Sequence, residues 1–183
     1  FEVPIGGVTL RDLIFAPEFG GGIPDSKELK FYHLGGQSGP IGFPEQLDTR
    51  YDHTSLKKQG LSIGSGAIVV MDETVCIIDY LKKVSEFFIH ESCGKCVPCR
   101  EGNRQMYMIL HRFATGLATE RDFERMERLS FTMATASSCG LGQSACTALD
   151  SCLKHRREEF QSHIKGICPV CLNSRKYGDQ YAY

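Results

Sequence analysis

The sequence predicts an α+β protein in which a small mixed domain precedes a four-helix bundle. Up to about residue 72, short apolar runs alternate with glycine-rich turns, which is typical of strands and short helices. Beyond that point the apolar residues recur at spacings of three and four, the periodicity of amphipathic helices. We therefore expect a first domain at residues 1–72, a helical bundle at 73–165 and a tail at 166–183.

The first domain is predicted to contain several strands and one short helix. Residues 1–5 are strand-like, residues 29–34 alternate, and the apolar run 67–71 predicts a buried strand. Thr9 is followed three residues later by an acidic residue, which predicts a capping box at the start of a helix. The glycines at 20–22 precede Ile-Pro, so they predict a turn rather than a phosphate-binding loop that opens a helix.

The second domain is predicted to contain four amphipathic helices. The first carries one apolar face, formed by Ile77, Ile78, Leu81, Val84 and Phe88. The second has Pro98 in its first turn and ends near Gly116. Thr119 is a candidate N-cap for a third helix at 120–133, and a single fourth helix is expected at 145–162. Short connections between four such helices are typical of a bundle.

Three cysteines lie at Cys-x2-Cys-x2-Cys spacing where the second predicted helix begins, namely Cys93, Cys96 and Cys99. Each iron of a [4Fe-4S] cluster takes one external thiolate, so one turn of backbone could supply three of the four. We predict Cys139 as the fourth ligand, because glycines adjacent to it allow close approach of the backbone. Structural zinc is the alternative, although zinc ligands usually come in well-separated pairs.

The residues around these cysteines resemble a known family. The run from Glu91 to Gly102, followed by Cys-Gly-Leu-Gly at 139–142, is similar to the cluster domain of the NADH-binding flavoprotein subunit of respiratory complex I. Soluble relatives of that subunit occur in NAD(P)-linked and electron-bifurcating hydrogenases and in formate dehydrogenases. Segments 35–39 and 64–72 resemble the small β-grasp-like (SLBB) domain of the same family. The resemblance covers nearly the whole chain and implies the C-terminal part of such a subunit.

The resemblance implies an electron-transfer module with no catalytic site of its own. It would carry one [4Fe-4S] cluster and relay electrons between a flavin/NAD(P)H site and further iron-sulfur centres. FMN and NAD(P) would bind in an adjacent domain or subunit. The implied partners are that flavin/NAD(P)H-binding domain or subunit, a [2Fe-2S] thioredoxin-like subunit, and an iron-sulfur-rich hydrogenase or formate dehydrogenase subunit. The alternative is a zinc-stabilised structural module without a redox role.

A second group of potential metal ligands lies near the end of the chain. His163, Cys168 and Cys171 form a His-x4-Cys-x2-Cys pattern that suits tetrahedral zinc. The soluble relatives have a cysteine just after a Met-Asp-Glu segment, where this chain has Cys76, and the resemblance therefore implies Cys76 as the fourth ligand. Cys152 is the rival for that position. Zn(II) bound there would tie the end of the bundle to the start of its first helix.

Composition restricts the remaining possibilities. A net charge of −1 and the lack of a basic stripe argue against a nucleic-acid partner. No apolar run is long enough to span a bilayer, so we expect no direct membrane insertion. Nine cysteines is an odd number and the triplet is a metal pattern, which favours a reducing, cytoplasmic compartment over a disulfide framework. The chain begins with Phe1 rather than methionine, and we expect it to be part of a longer polypeptide.

Overall fold

The structure is a computed structural model that describes residues 2–3 and 6–170. It combines helices with a small sheet, which confirms the predicted α+β class. The chain divides into two compact units, residues 1–74 and 75–183. Positions 1, 4 and 5 of the predicted N-terminal strand lie outside the described residues, and residues 2–3 have no regular secondary structure.

The first unit contains a three-stranded antiparallel sheet with strand order β2-β1-β3. Its strands are β1 (Leu29–Leu34), β2 (Ile41–Gly42) and β3 (Ile68–Asp72). The prediction of β1 is confirmed. The prediction that β3 is buried is wrong, because none of its residues is buried and Val69 is 44% exposed. As an outer strand of this sheet, β3 has a neighbouring strand on one side only.

Two short helices complete the described part of the first unit. Helix α1 (Leu10–Phe15) begins at the predicted capping box, in which Thr9 and Asp12 each bond the backbone N–H of the other. Helix α2 (His53–Lys58) was not predicted, because it buries a single apolar side chain and so shows no periodicity. Both helices contribute to one apolar core, formed by Leu10, Leu13, Ile14, Tyr32, Leu34, Leu47, Tyr51, Leu56 and Leu61.

In its described part, the second unit contains helices and no strand. Its helices are α3 (Ile77–Glu91), α4 (Val97–Ala114), α5 (Glu120–Ala136), α6 (Gly140–Ser144), α7 (Thr147–His155) and α8 (Arg157–Ile164). The first three confirm the predicted helices. The prediction of one continuous fourth helix is wrong, because the backbone leaves helical geometry at Arg156 (φ −140°, ψ 36°). The apolar pattern continues across the break, so periodicity gave no sign of it. No helix in the described residues is long and apolar enough to cross a membrane.

Helices α4 and α5 pack closely at both ends. Near the start of α4, a Cβ added to Gly102 would lie 2.5 Å from the sulfur of Met133, which is close to the end of α5. Near the other end, the rings of Phe113, Phe123 and Phe160 pack with centroids 5.4 to 6.0 Å apart. The two helices are therefore antiparallel, and the end of α5 lies beside the start of α4.

Candidate iron-sulfur centre and zinc site

The first three cysteines lie on a tight loop between α3 and α4. Helix α3 ends at Glu91 with Ser92 as its C-cap residue, and Cys96 is the N-cap residue of α4. Gly94 has φ +75°, a left-handed conformation that glycine adopts without steric cost. The guanidinium of Arg100 donates a hydrogen bond of 2.8 Å to the Gly94 carbonyl, which ties the loop back to the first turn of the helix. The N-terminal N–H groups of α4 favour negative charge at this position.

The segment that carries Cys139 packs against this loop. Cys139 is the N-cap residue of α6, and Gly142 of the same helix is buried. A Cβ placed on Gly142 would lie 2.9 Å from Cys99 Cβ and 2.5 Å from Ser137 Oγ. Because real Cβ atoms do not approach neighbours this closely, only glycine fits here, and its backbone lies directly against Cys99.

Hydrogen bonding also links Cys96 to the Cys139 segment. The backbone N–H of Ser138 donates to the Cys96 sulfur, and this bond is the main reason why the pKa of the Cys96 thiol is lowered. Cys99 is buried, whereas Cys93 and Cys139 are exposed. The four predicted cluster cysteines thus lie on two segments that meet at one end of the helical unit.

Three polar side chains that the sequence analysis did not single out lie beside these cysteines. Ser92 Oγ is 3.3 Å from Cys99 Sγ, and the side-chain amide of Asn103 donates to the same sulfur at 3.5 Å. Ser137 Oγ is buried and has no hydrogen-bond partner among the described residues. Asn103 lies one helical turn beyond Cys99, so its spacing was a signal available in the sequence. For the two serines no such local pattern existed.

A second constellation joins the start of α3 to the end of α8. The potential ligand atoms of Cys76, His163 and Cys168 all lie within 4.8 Å of one another, and the three residues are buried. Cys76 Sγ and His163 Nε2 are 3.5 Å apart. Burial raises the pKa of the Cys76 thiol. Cys171 lies outside the described residues, and Cys152 is not a member of this group.

The orientation of the His163 ring suits a metal ligand. Its Nδ1 is 3.0 Å from the carbonyl oxygen of Phe113, which can only accept a hydrogen bond. Nδ1 therefore carries the proton, and the lone pair of Nε2 in the neutral ring points toward Cys76. Metal-binding histidines are commonly held in this way by a carbonyl. Nearby, the carboxylate of Glu159 accepts the N–H of Ile77 at 3.1 Å and fastens α8 to the start of α3.

The helical unit and its cysteine-bearing end have the features of an iron-sulfur domain. Residues 79–163 match the family model described as the NADH-ubiquinone oxidoreductase-F iron-sulfur binding region, of the [4Fe-4S] type. Residues 79–163 are therefore similar to this iron-sulfur binding region, and the similarity supports a role in electron transfer.

Similar proteins extend the likeness to both units. The chain is 36% identical over 170 residues to the F subunit of the NADH-quinone oxidoreductase of Mycobacterium bovis, covering 92% of this chain and 37% of that protein. It is 38% identical over 170 residues to the HndC subunit of the NADP-reducing hydrogenase of Solidesulfovibrio fructosivorans, covering 92% and 34% respectively. The chain thus spans little more than a third of the length of these relatives.

A solved structure is similar to this chain over nearly its whole length. A chain of an NAD+-reducing [NiFe]-hydrogenase in the H2-reduced state superposes with a TM-score of 0.75 at 27% sequence identity. The match covers 88% of this chain and 26% of the hydrogenase chain. The predicted family resemblance is confirmed.

Proposed function

We propose that this chain is an electron-relay module that holds one [4Fe-4S] cluster through Cys93, Cys96, Cys99 and Cys139. The observation that carries the proposal is the cradle at Gly142, where the backbone of α6 lies against Cys99 with no room for a side chain. This close approach of the two segments supports shared ligation of one cluster by Cys139 and the three cysteines of the loop. The orphaned hydroxyl of Ser137 beside this cradle supports the fit, because a bound cluster offers sulfur acceptors to buried donors.

Each ligand has a distinct role in this proposal. Cys99, which is buried, anchors the cluster to the first turn of α4, and Cys96 receives the N–H of Ser138 and links the two segments. The exposed Cys93 and Cys139 define the side from which a redox partner approaches. The cluster, when bound, supplies one-electron redox chemistry, and the protein contributes ligation, burial and hydrogen bonds.

The names of the relatives support a proposed electron route. Their names describe NADH-quinone oxidoreductase and NADP-reducing hydrogenase subunits. We propose that the module takes electrons from, or returns them to, an FMN and NAD(P)H site in an adjacent domain or subunit. A [2Fe-2S] thioredoxin-like subunit and an iron-sulfur-rich subunit of hydrogenase or formate dehydrogenase type would complete the assembly, with or without electron bifurcation. We also propose a reducing, cytoplasmic compartment, because the spacing of the cysteine triplet is a metal pattern and not a disulfide framework.

The second constellation is proposed as a structural zinc site. Cys76, His163 and Cys168 supply three ligands, and Cys171 is the proposed fourth. Their buried positions and the carbonyl-held ring of His163 support zinc, which favours sulfur and imidazole ligands. Bound zinc would fasten the end of the chain to the first turn of α3, in parallel with the bond between Glu159 and Ile77.

Metal stoichiometry of the anaerobically purified chain tests both sites. We expect about four irons, four sulfides and one zinc per chain. Cys139→Ser should lose most of the iron and keep the zinc. Cys146→Ala should keep both metals, since Cys146 is a buried cysteine beside the sulfur of Met133 and belongs to neither proposed ligand set. About two zincs and no iron in the parent chain would instead establish the alternative, a structural module without a redox role.

The zinc ligands are tested separately. A Cys168→Ser, Cys171→Ser variant should lose the zinc and keep the iron. Full zinc content in that variant would refute the proposed ligand set. Cys152→Ala distinguishes the rival ligand, because we expect this variant to keep its zinc.

A further inference from the structure

Two side chains lie within hydrogen-bonding distance of the sulfur of Cys99, and the family match assigns no role to either. Ser92 precedes Cys99 in the chain, and its Oγ lies 3.3 Å from Cys99 Sγ. Asn103 follows Cys99, and its Nδ2 lies 3.5 Å from the same sulfur. The two residues belong to different elements, the end of α3 and the second turn of α4. Their convergence on one sulfur is therefore produced by the fold and not by a single local turn.

The direction of the bond between Ser92 and Cys99 follows from the protonation state of the sulfur. The backbone N–H of Gly94 donates to Ser92 Oγ at 3.3 Å, so the serine oxygen is an acceptor on that side. When Cys99 binds iron, its sulfur has no proton and can only accept. The hydroxyl hydrogen of Ser92 is then the only hydrogen that this contact can use, and Ser92 must be the donor.

Asn103 is held in a similar way. Its side-chain amide donates to the carbonyl oxygen of Cys99 at 3.0 Å as well as to the sulfur. Asn103 is 2% exposed, so water does not compete for these donors. The amide therefore fixes both the backbone and the side chain of Cys99.

We infer that Ser92 and Asn103 are positioning residues that donate hydrogen bonds to the ligand sulfur of Cys99 and thereby raise the reduction potential of the bound cluster. Reduction adds one electron to the cluster and increases the negative charge on its sulfurs. Hydrogen bonds to those sulfurs consequently stabilise the reduced form more than the oxidised form. The inference rests on the proposed ligation of the cluster by Cys99.

The test is a redox titration of the cluster-loaded full chain, followed by electron paramagnetic resonance. Ser92→Ala and Asn103→Leu should each retain about four irons. Each substitution should lower the midpoint potential of the cluster. At a fixed applied potential, the ratio of reduced to oxidised cluster should fall by up to about tenfold, which corresponds to about 59 mV for a one-electron couple. Ser92→Thr keeps the hydroxyl and should restore the parent potential.

The matched control is Ser151→Ala, in which the lost hydroxyl bonds the carbonyl of Thr147 within α7. We expect this variant to leave the potential unchanged. Iron-loaded Ser92→Ala and Asn103→Leu chains with the parent potential would overturn the inference while the proposed cluster remained. A parent chain that binds no iron would overturn the cluster itself. If Ser92→Ala loses iron, the potential of Asn103→Leu decides the inference.

Discussion

The cradle at Gly142 predicts that one added methyl group removes the cluster. In Gly142→Ala the new Cβ would lie 2.5 Å from Ser137 Oγ, 2.7 Å from Ser137 Cβ and 2.9 Å from Cys99 Cβ. Ordinary contacts of this kind are 3.4 to 4 Å, so α6 would have to move away from Ser137 and from Cys99 of α4 by roughly 0.5 to 1 Å. Overpacking of this kind costs about 1–3 kcal/mol, and a displacement of this size separates Cys139 from the other three ligands.

The chain contains a matched control two residues away. Gly140 lies in the same helix and is exposed, and apart from its chain neighbours and its own helix backbone, a Cβ there would have no described atom within 4 Å. Gly140→Ala should keep all of its iron, because the added methyl group meets no side chain of another element. The assay is iron content and cluster absorbance after anaerobic reconstitution. Equal iron in the two variants would refute the role of the cradle.

Three further predictions concern stability. Asp122→Ala should lower the free energy of unfolding by about 1–3 kcal/mol in urea titrations at pH 7, because its buried carboxylate accepts the N–H of Thr119 at 2.7 Å. Burial alone would raise the pKa of Asp122, but the hydrogen bonds from Thr119 and the charge of Arg112 outweigh burial, so the pKa is lowered in the folded protein. The stabilisation by this carboxylate is therefore present above about pH 4 and is lost as the pH falls through the lower pKa of the folded state. A parent-to-variant difference that is the same at pH 7 and pH 2 would contradict this assignment. Arg100→Ala should speed iron loss to a chelator, since it removes the bond to the Gly94 carbonyl; an unchanged rate would contradict the clamp. Zinc removal should lower the melting temperature of the parent chain and leave that of a His163→Ala variant unchanged. Equal shifts of the melting temperature in the two proteins would exclude His163 as a ligand.

Sequence patterns predicted the parts of the fold that repeat a local signal. The capping box of α1, the alternation of β1 and the three- and four-residue spacing of α3 to α5 are local properties, and the structure confirms each of them. Helix α2 has one buried residue, and the break at Arg156 interrupts no apolar pattern, so neither produced a signal. The exposure of β3 depends on which strands flank it, which the sequence of one strand does not contain.

The candidate site likewise has some features that local sequence patterns predict and others that depend on the fold. The spacing of Cys93, Cys96 and Cys99 indicated a cluster because the three ligands share one turn of chain. The choice of Cys139 depended on neighbouring glycines, and the structure gives Gly142 a specific role at that position. The donors to Cys99 come partly from the preceding helix, so only the folded arrangement reveals them. The assignment of the four cysteines as ligands stays a prediction.

The most direct test of the central claim is spin quantitation by low-temperature electron paramagnetic resonance on the anaerobically reduced, iron-loaded chain. The account predicts a reduced-cluster signal that integrates to about one spin for every four irons, and predicts its loss in Cys139→Ser but not in Cys146→Ala. A colourless chain with zinc in place of iron and no signal after reduction would contradict the electron-relay assignment.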